Sequence, residues 1–229
     1  MPAAAPGVFT GGANVIATAI LLAEFGMFRQ ALVRDQVRLY MAQSGLISVL
    51  AVIVAAAAHL PELYVLAVVS ALLKVVVIPV VISRLLRPEE PAGAAELGDI
   101  AGSGGLGLAS TILIAIAVAA FGFFSAGQLP IPGSAAPAVA LSVSIAVVLV
   151  AFVLMIHRRD VISQAIGLFS LENGISLAAL VVAASLPLIL EVALLFDLLV
   201  AVIVFGLLIR IHHGRAESLS TTELTSLRG

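Results

Sequence analysis

The chain contains no cysteine. That excludes disulfides, thiolate ligation of zinc or an iron–sulfur cluster, and a cysteine nucleophile. Charge is nearly as scarce: 10% of residues are charged against 62% hydrophobic, and mean hydropathy is +1.24. Such a composition excludes a soluble globule and matches a bundle of membrane helices. No basic patch interleaved with aromatics occurs and the net charge is −2, so nothing points to nucleic acid. The four histidines, His59, His157, His212 and His213, fall at segment ends rather than in a metal-ligand spacing, and no metal or cofactor is expected. The first apolar segment lacks a charged n-region and a convincing cleavage site, so it reads as a retained helix rather than a leader.

What is present is a series of seven apolar runs, at roughly 8–28, 39–58, 62–83, 105–125, 138–156, 161–185 and 188–209. Val, Ile, Leu and Ala fill them continuously, without the alternation of a barrel strand. The expected fold is an all-α membrane protein of about seven transmembrane helices. Gly102, Gly104, Gly105 and Gly107 precede the fourth run with no strand before them and no Gly-Lys-Ser/Thr after. Helix packing by small residues explains them better than a nucleotide loop. Arginine falls in alternate connections: Arg29, Arg34 and Arg38; Arg84 and Arg87; Arg158 and Arg159; Arg210 and Arg215. The connections at 59–61 and 127–137 carry neither lysine nor arginine. The positive-inside rule then places the N-terminus outside and the C-terminus in the cytoplasm.

The chain also reads as a parallel duplication of a helical hairpin. Arg38–Gln43 resembles Arg159–Gln164, each followed by an apolar helix, a Leu-Pro break (60–61 and 186–187) and another apolar helix. Residues 1–229 read as a single membrane domain with an N-terminal three-helix part, 8–87. A stretch of loops and the fourth helix, 88–137, and a C-terminal three-helix part, 138–229, follow it.

Three ionisable residues stand in the middle thirds of apolar runs: Lys74, Glu172 and Asp197. A mid-membrane charge costs at least about 2.5–3.5 kcal/mol on insertion scales, so each is a functional candidate by default. Glu172 and Asp197 stand at one depth on helices expected to be antiparallel neighbours, a placement suited to proton exchange. Asn173 and Ser176, the latter at i+4 from Glu172, would supply hydrogen bonds or hold water. The alternative for either acid is packing glue between helices. Lys74, the only lysine, lies about 15 Å of helical rise from Arg84, too deep to snorkel fully. It is expected to pair with Asp197 or with an acid of another subunit, and to tune its neighbours electrostatically. Pro79 is expected to disturb the helix beside it. Glu191 and Glu24 are weaker proton-transfer candidates. For Glu191 a solvated helix start is favoured, and for Glu24 an interfacial salt bridge to Arg29.

The last 90 residues resemble the K subunit of bacterial complex I. The matching stretches are Ile156–Asp160 before a helix, Ile166–Gly167–Leu168, Glu172–Asn173, the acid of the next helix, and the polar end Arg210–His213. The longer layout, with its lysine-bearing N-terminal hairpin, is similar to component E of hydrogenase-4 and formate hydrogenlyase-type complexes. Relative to the K-subunit pattern both acids are displaced. Phe169 stands where that family has its first acid, and Val200 aligns with its second. Both acids thus lie about one turn, roughly 4.5 Å, further toward the outside.

The resemblance implies a non-redox membrane subunit of a group 4 nickel–iron hydrogenase-type complex in the prokaryotic cytoplasmic membrane. Its hetero-oligomeric partners would carry the electron transfer, and this chain would lack a catalytic centre of its own. The alternative is a C-subunit-like component of a multisubunit cation/proton antiporter.

Overall fold

A computed structural model of the chain describes residues 6–30, 32–59, 61–85, 107–128, 138–158 and 160–182. Toward the C-terminus it describes the single positions 195, 199, 202, 203, 206 and 210. All regular structure among these residues is helical. The elements are α1 (Pro6–Arg29), α2 (Val33–Ala58), α3 (Pro61–Ala71), a π-helical turn (Leu72–Val77), α4 (Ile78–Leu85), α5 (Leu108–Gly127), α6 (Ala138–His157) and α7 (Val161–Val182). α3, the π turn and α4 form one continuous rod. Six helices among the described residues are thus long and apolar enough to cross a membrane. Continuous apolar sequence dictates this, because only an internally hydrogen-bonded backbone is tolerated where no water can satisfy it. The seventh run lies outside the described residues except for those single positions. Of these, Leu195 and Val202 pack on the bundle.

α2 begins at Val33, ahead of its apolar run, with a polar first turn. Asp35 sits in that turn, where the helix dipole favours an anion, and pairs with Arg38 at 2.8 Å. At the other end His59 adopts the left-handed conformation, φ 56°, and its N–H closes on the Ala55 carbonyl. Pro61 then opens α3 at a position where no N–H is needed.

α1, α2, α6 and α7 form the centre of the bundle. α1 packs on α2 and α6, and α7 on α2 and α6. The α3–α4 rod lies against α2, and α5 against α6. The α1–α2 and α6–α7 turns lie at one end and are tied together. The Arg158 guanidinium donates to the Gln30 carbonyl and, at 3.4 Å, to the Phe28 carbonyl, so a cation caps the C-terminus of α1.

Each turn is also closed by a glutamine reaching back six residues. Gln36 Nε2 donates to Gln30 O at 3.0 Å, and Gln164 Nε2 to Arg158 O at 2.9 Å. Gln36 and Gln164 thus make the same closing contact in the two turns. The second arm of the repeat, 188–209, lies outside the described residues.

Small residues set the α6–α7 spacing. Ser144 Oγ donates to the Gly174 carbonyl at 2.9 Å. A Cβ on Gly174 would stand 2.8 Å from Val148 Cγ2 and 3.1 Å from the Val148 backbone nitrogen. Gly174→Leu is therefore expected to push the helices apart and destabilise the protein by about 1–3 kcal/mol. Thermal unfolding in detergent checks this, and an unchanged midpoint would contradict the close approach.

Candidate functional site

Two apolar layers fill the bundle, and polar side chains lie between them. On α1, Glu24 falls between Ile20 of one layer and Met27 of the other. On α2, Gln43 and Ser44 fall between Tyr40 and Ile47. On α7, Ser170 to Ser176 lie between Phe169 and Leu177. Gln43 is about 15 Å of helical rise beyond the start of α2 at Val33, far from either interface.

Lys74 comes from the rod on the far side of α2 and is 2% exposed. Its Nζ lies 2.6 Å from Glu172 Oε1 and donates to Ser176 Oγ at 3.1 Å. Ser176 in turn donates to Glu172 Oε1 at 3.2 Å. The ammonium, carboxylate and hydroxyl thus form a closed triangle, with Glu172 itself 8% exposed. Among the described residues Lys74 pairs with Glu172 of its own chain. Sequence alone pointed to Asp197, one turn removed from the position that aligns with Lys74 in the repeat. Bundle packing instead brings Lys74 across the face of α2 to α7. Asp197 and Glu191 lie outside the described residues.

The π turn explains how Lys74 arrives there. Ile78 N–H bonds to the Leu73 carbonyl, five residues back, and Pro79 follows with no N–H to offer. The widened turn accommodates that missing donor, and such turns recur at functional sites. The disturbance expected near Pro79 thus takes the form of a π turn centred on the lysine. Leu72 and Val76 of the same turn are left on the exposed apolar face.

Glu24 departs from its sequence reading. It is fully buried, forms no ion pair with Arg29 and turns into the bundle. Gln43 Nε2 donates to Glu24 Oε2 at 2.8 Å, and the Ser170 hydroxyl contacts the same oxygen. Ser170 Oγ also lies 3.0 Å from Gln43 Oε1. Asn173 Nδ2 donates to Gln43 Oε1 at 3.0 Å and to Ser44 Oγ at 2.8 Å. An interfacial position five residues before Arg29 does not dictate exposure, because that face of α1 is covered by α2 and α7.

Tyr40 stands between the two clusters. It is fully buried, its ring packs on Phe169 with centroids 5.8 Å apart, and its hydroxyl lies beside Ser44 within the field of Glu172. Glu24 Oε1, Glu172 Oε2 and Asn173 Oδ1 accept no hydrogen bond among the described residues. The interior therefore has acceptor capacity to spare, the property that a site for protons or water requires.

Sequence reasoning brought Lys74, Glu172, Asn173 and Ser176 into one site but missed Tyr40, Gln43, Ser44 and Ser170. A signal for these existed: Gln36 and Gln43, like Ser163 and Ser170, are seven residues apart, placing polar groups on one stripe of an otherwise apolar helix. No cluster of His, Cys, Asp and Glu among the described residues could hold a metal ion.

No protein-family model matches the chain, and no solved structure matches it. A stretch of 60 residues is 43% identical to "Uncharacterized protein Rv0085" of Mycobacterium tuberculosis, covering 26% of this chain and 27% of that protein. The chain is thus similar to that relative over about a quarter of its length.

Proposed function

We propose that this chain is an integral membrane subunit of a redox-driven, ion-translocating complex of the group 4 nickel–iron hydrogenase type. In this reading Lys74 and Glu172 form part of its proton pathway. The observation that carries this reading is the buried triangle of Lys74, Glu172 and Ser176. A scaffold has little use for it, since a buried ion pair is often no more stabilising than apolar residues of the same size. A device that moves charge needs it, because ammonium and carboxylate 2.6 Å apart can exchange a proton or part under an applied field. With six apolar helices and no metal cluster among the described residues, redox chemistry belongs to partner subunits in this proposal. The arginine-bearing end would face the cytoplasm of a prokaryotic cell, with the N-terminus outside.

Purification in mild detergent followed by mass spectrometry of the co-purifying chains tests the assignment. Hydrogenase-type large and small subunits are expected. Recovery with cation/proton antiporter subunits, and Na⁺-dependent activity, would replace the assignment with the antiporter reading. Recovery as a lone chain would contradict both.

A further inference from the structure

We infer that Glu24 is a second proton-binding site, held as a neutral carboxylic acid by Ser170 and Gln43. It is separate from the Lys74–Glu172 pair, and the inference stands whether or not that pair moves ions. The argument is a count of hydrogens. Ser170 Oγ has one hydrogen but touches two acceptors, Glu24 Oε2 and Gln43 Oε1. Gln43 Oε1 is the amide oxygen, because the amide nitrogen already donates to Glu24 at 2.8 Å. One hydroxyl hydrogen cannot serve both contacts. A proton on Glu24 resolves the conflict: the carboxyl donates to Ser170 Oγ, and Ser170 donates to Gln43 Oε1. Gln43 Nε2 still donates to the remaining lone pair of the carboxyl oxygen. Every contact then has its own hydrogen.

The surroundings agree. Among the described residues no cation pairs with Glu24. Arg29 is exposed, and Arg158 is spent on the α1 carbonyls. Lys74 is paired with Glu172. On α2, Arg34 and Arg38 are exposed and Asp35 pairs with Arg38, which leaves Tyr40 on α2 and His157 on α6. His157 is engaged by Thr111 of α5 at 3.0 Å and lies against the Phe28 ring. A bare carboxylate at this depth would be a buried, unpaired charge.

Loss of the proton has a defined consequence. Glu24 becomes an acceptor only, the Ser170 hydrogen turns from Gln43 Oε1 to the carboxylate, and Gln43 Oε1 keeps the Asn173 amide as its donor. The rearrangement thus ends at Gln43 Oε1, the acceptor that Ser170 shares with Asn173.

Infrared difference spectroscopy on the full chain in lipid, with whatever partners co-purify, tests this. Spectra of wild type, E24Q, E172Q and S170A are compared at neutral pH, with and without Na⁺. The expected result is a carboxylic-acid C=O band in the wild type that E24Q removes and E172Q retains. S170A should shift it to higher frequency, since one hydrogen bond is lost. That shift is read on Glu24 itself and keeps the test decisive if E24Q fails to accumulate. A wild type with no acid band, a band indifferent to both E24Q and S170A, or a band abolished by Na⁺ would overturn the assignment. The last outcome would make the site a cation site.

Discussion

Lys74→Met is expected to destabilise the protein by about 3–5 kcal/mol, the cost of leaving one member of a buried ion pair without its partner. Methionine keeps an unbranched apolar stem of similar length, so packing between the π turn and α2 is largely retained. What is lost is the 2.6 Å contact to Glu172 Oε1 and the donor to Ser176. Glu172 is left with Ser176 as its remaining donor and an Oε2 that already accepts nothing. The double variant K74M/E172Q removes both charges and should recover most of the loss. Thermal unfolding in detergent measures wild type and both variants. Equal losses for single and double variants would mean that the pair contributes no coupling.

Gln43→Leu is expected to cost the next most. Gln43 ties three helices together, donating to Glu24 on α1 and accepting from Ser170 and Asn173 on α7. Leucine fills similar space but leaves each former partner short of one bond, at about 1–3 kcal/mol for each group that finds no substitute. Ser44 remains as acceptor for the Asn173 amide at 2.8 Å, so that side of the loss is the smaller. Gln43→Glu restores acceptors but not the donor to Glu24, and places two carboxyls together. It should recover stability only where a proton is taken up, and so more in acid than in alkali. Identical behaviour of the Leu and Glu variants at every pH would remove Gln43 from the centre of the network.

How much of this was readable beforehand depends on which force sets each feature. The helices were legible because hydrocarbon leaves the backbone little choice, and the runs that became α3–α4, α5 and α6 sit within a few residues of their expected positions. The depth of Lys74 and of Glu172 was legible for the same reason, since helical rise converts residue number into height. Their pairing was not. Two groups at one height can sit on opposite sides of a bundle, and only the packing of the rod on α2, and α2 on α7, brings them together. Glu24 was misread as an interfacial salt bridge because distance along the chain to Arg29 says nothing about which way the helix face turns. Gln43, Ser44 and Ser170 were overlooked because uncharged polar residues in an apolar run raise no alarm individually. They acquire meaning only when α7 brings Ser170 to Gln43 at 3.0 Å and Asn173 to Gln43 and Ser44 at 3.0 and 2.8 Å.

The central claim is that the charges of Lys74 and Glu172 serve ion movement rather than folding. Proton uptake into sealed vesicles containing the proposed complex, driven by the redox substrate its partner subunits would oxidise, tests this most directly. The comparison is wild type against the stability-compensated K74M/E172Q variant at matched subunit content and matched redox turnover. The account expects the double variant to assemble and turn over electrons while proton uptake falls to that of vesicles lacking the complex. Uptake equal to wild type in the assembled double variant would contradict it and leave the pair as a structural contact.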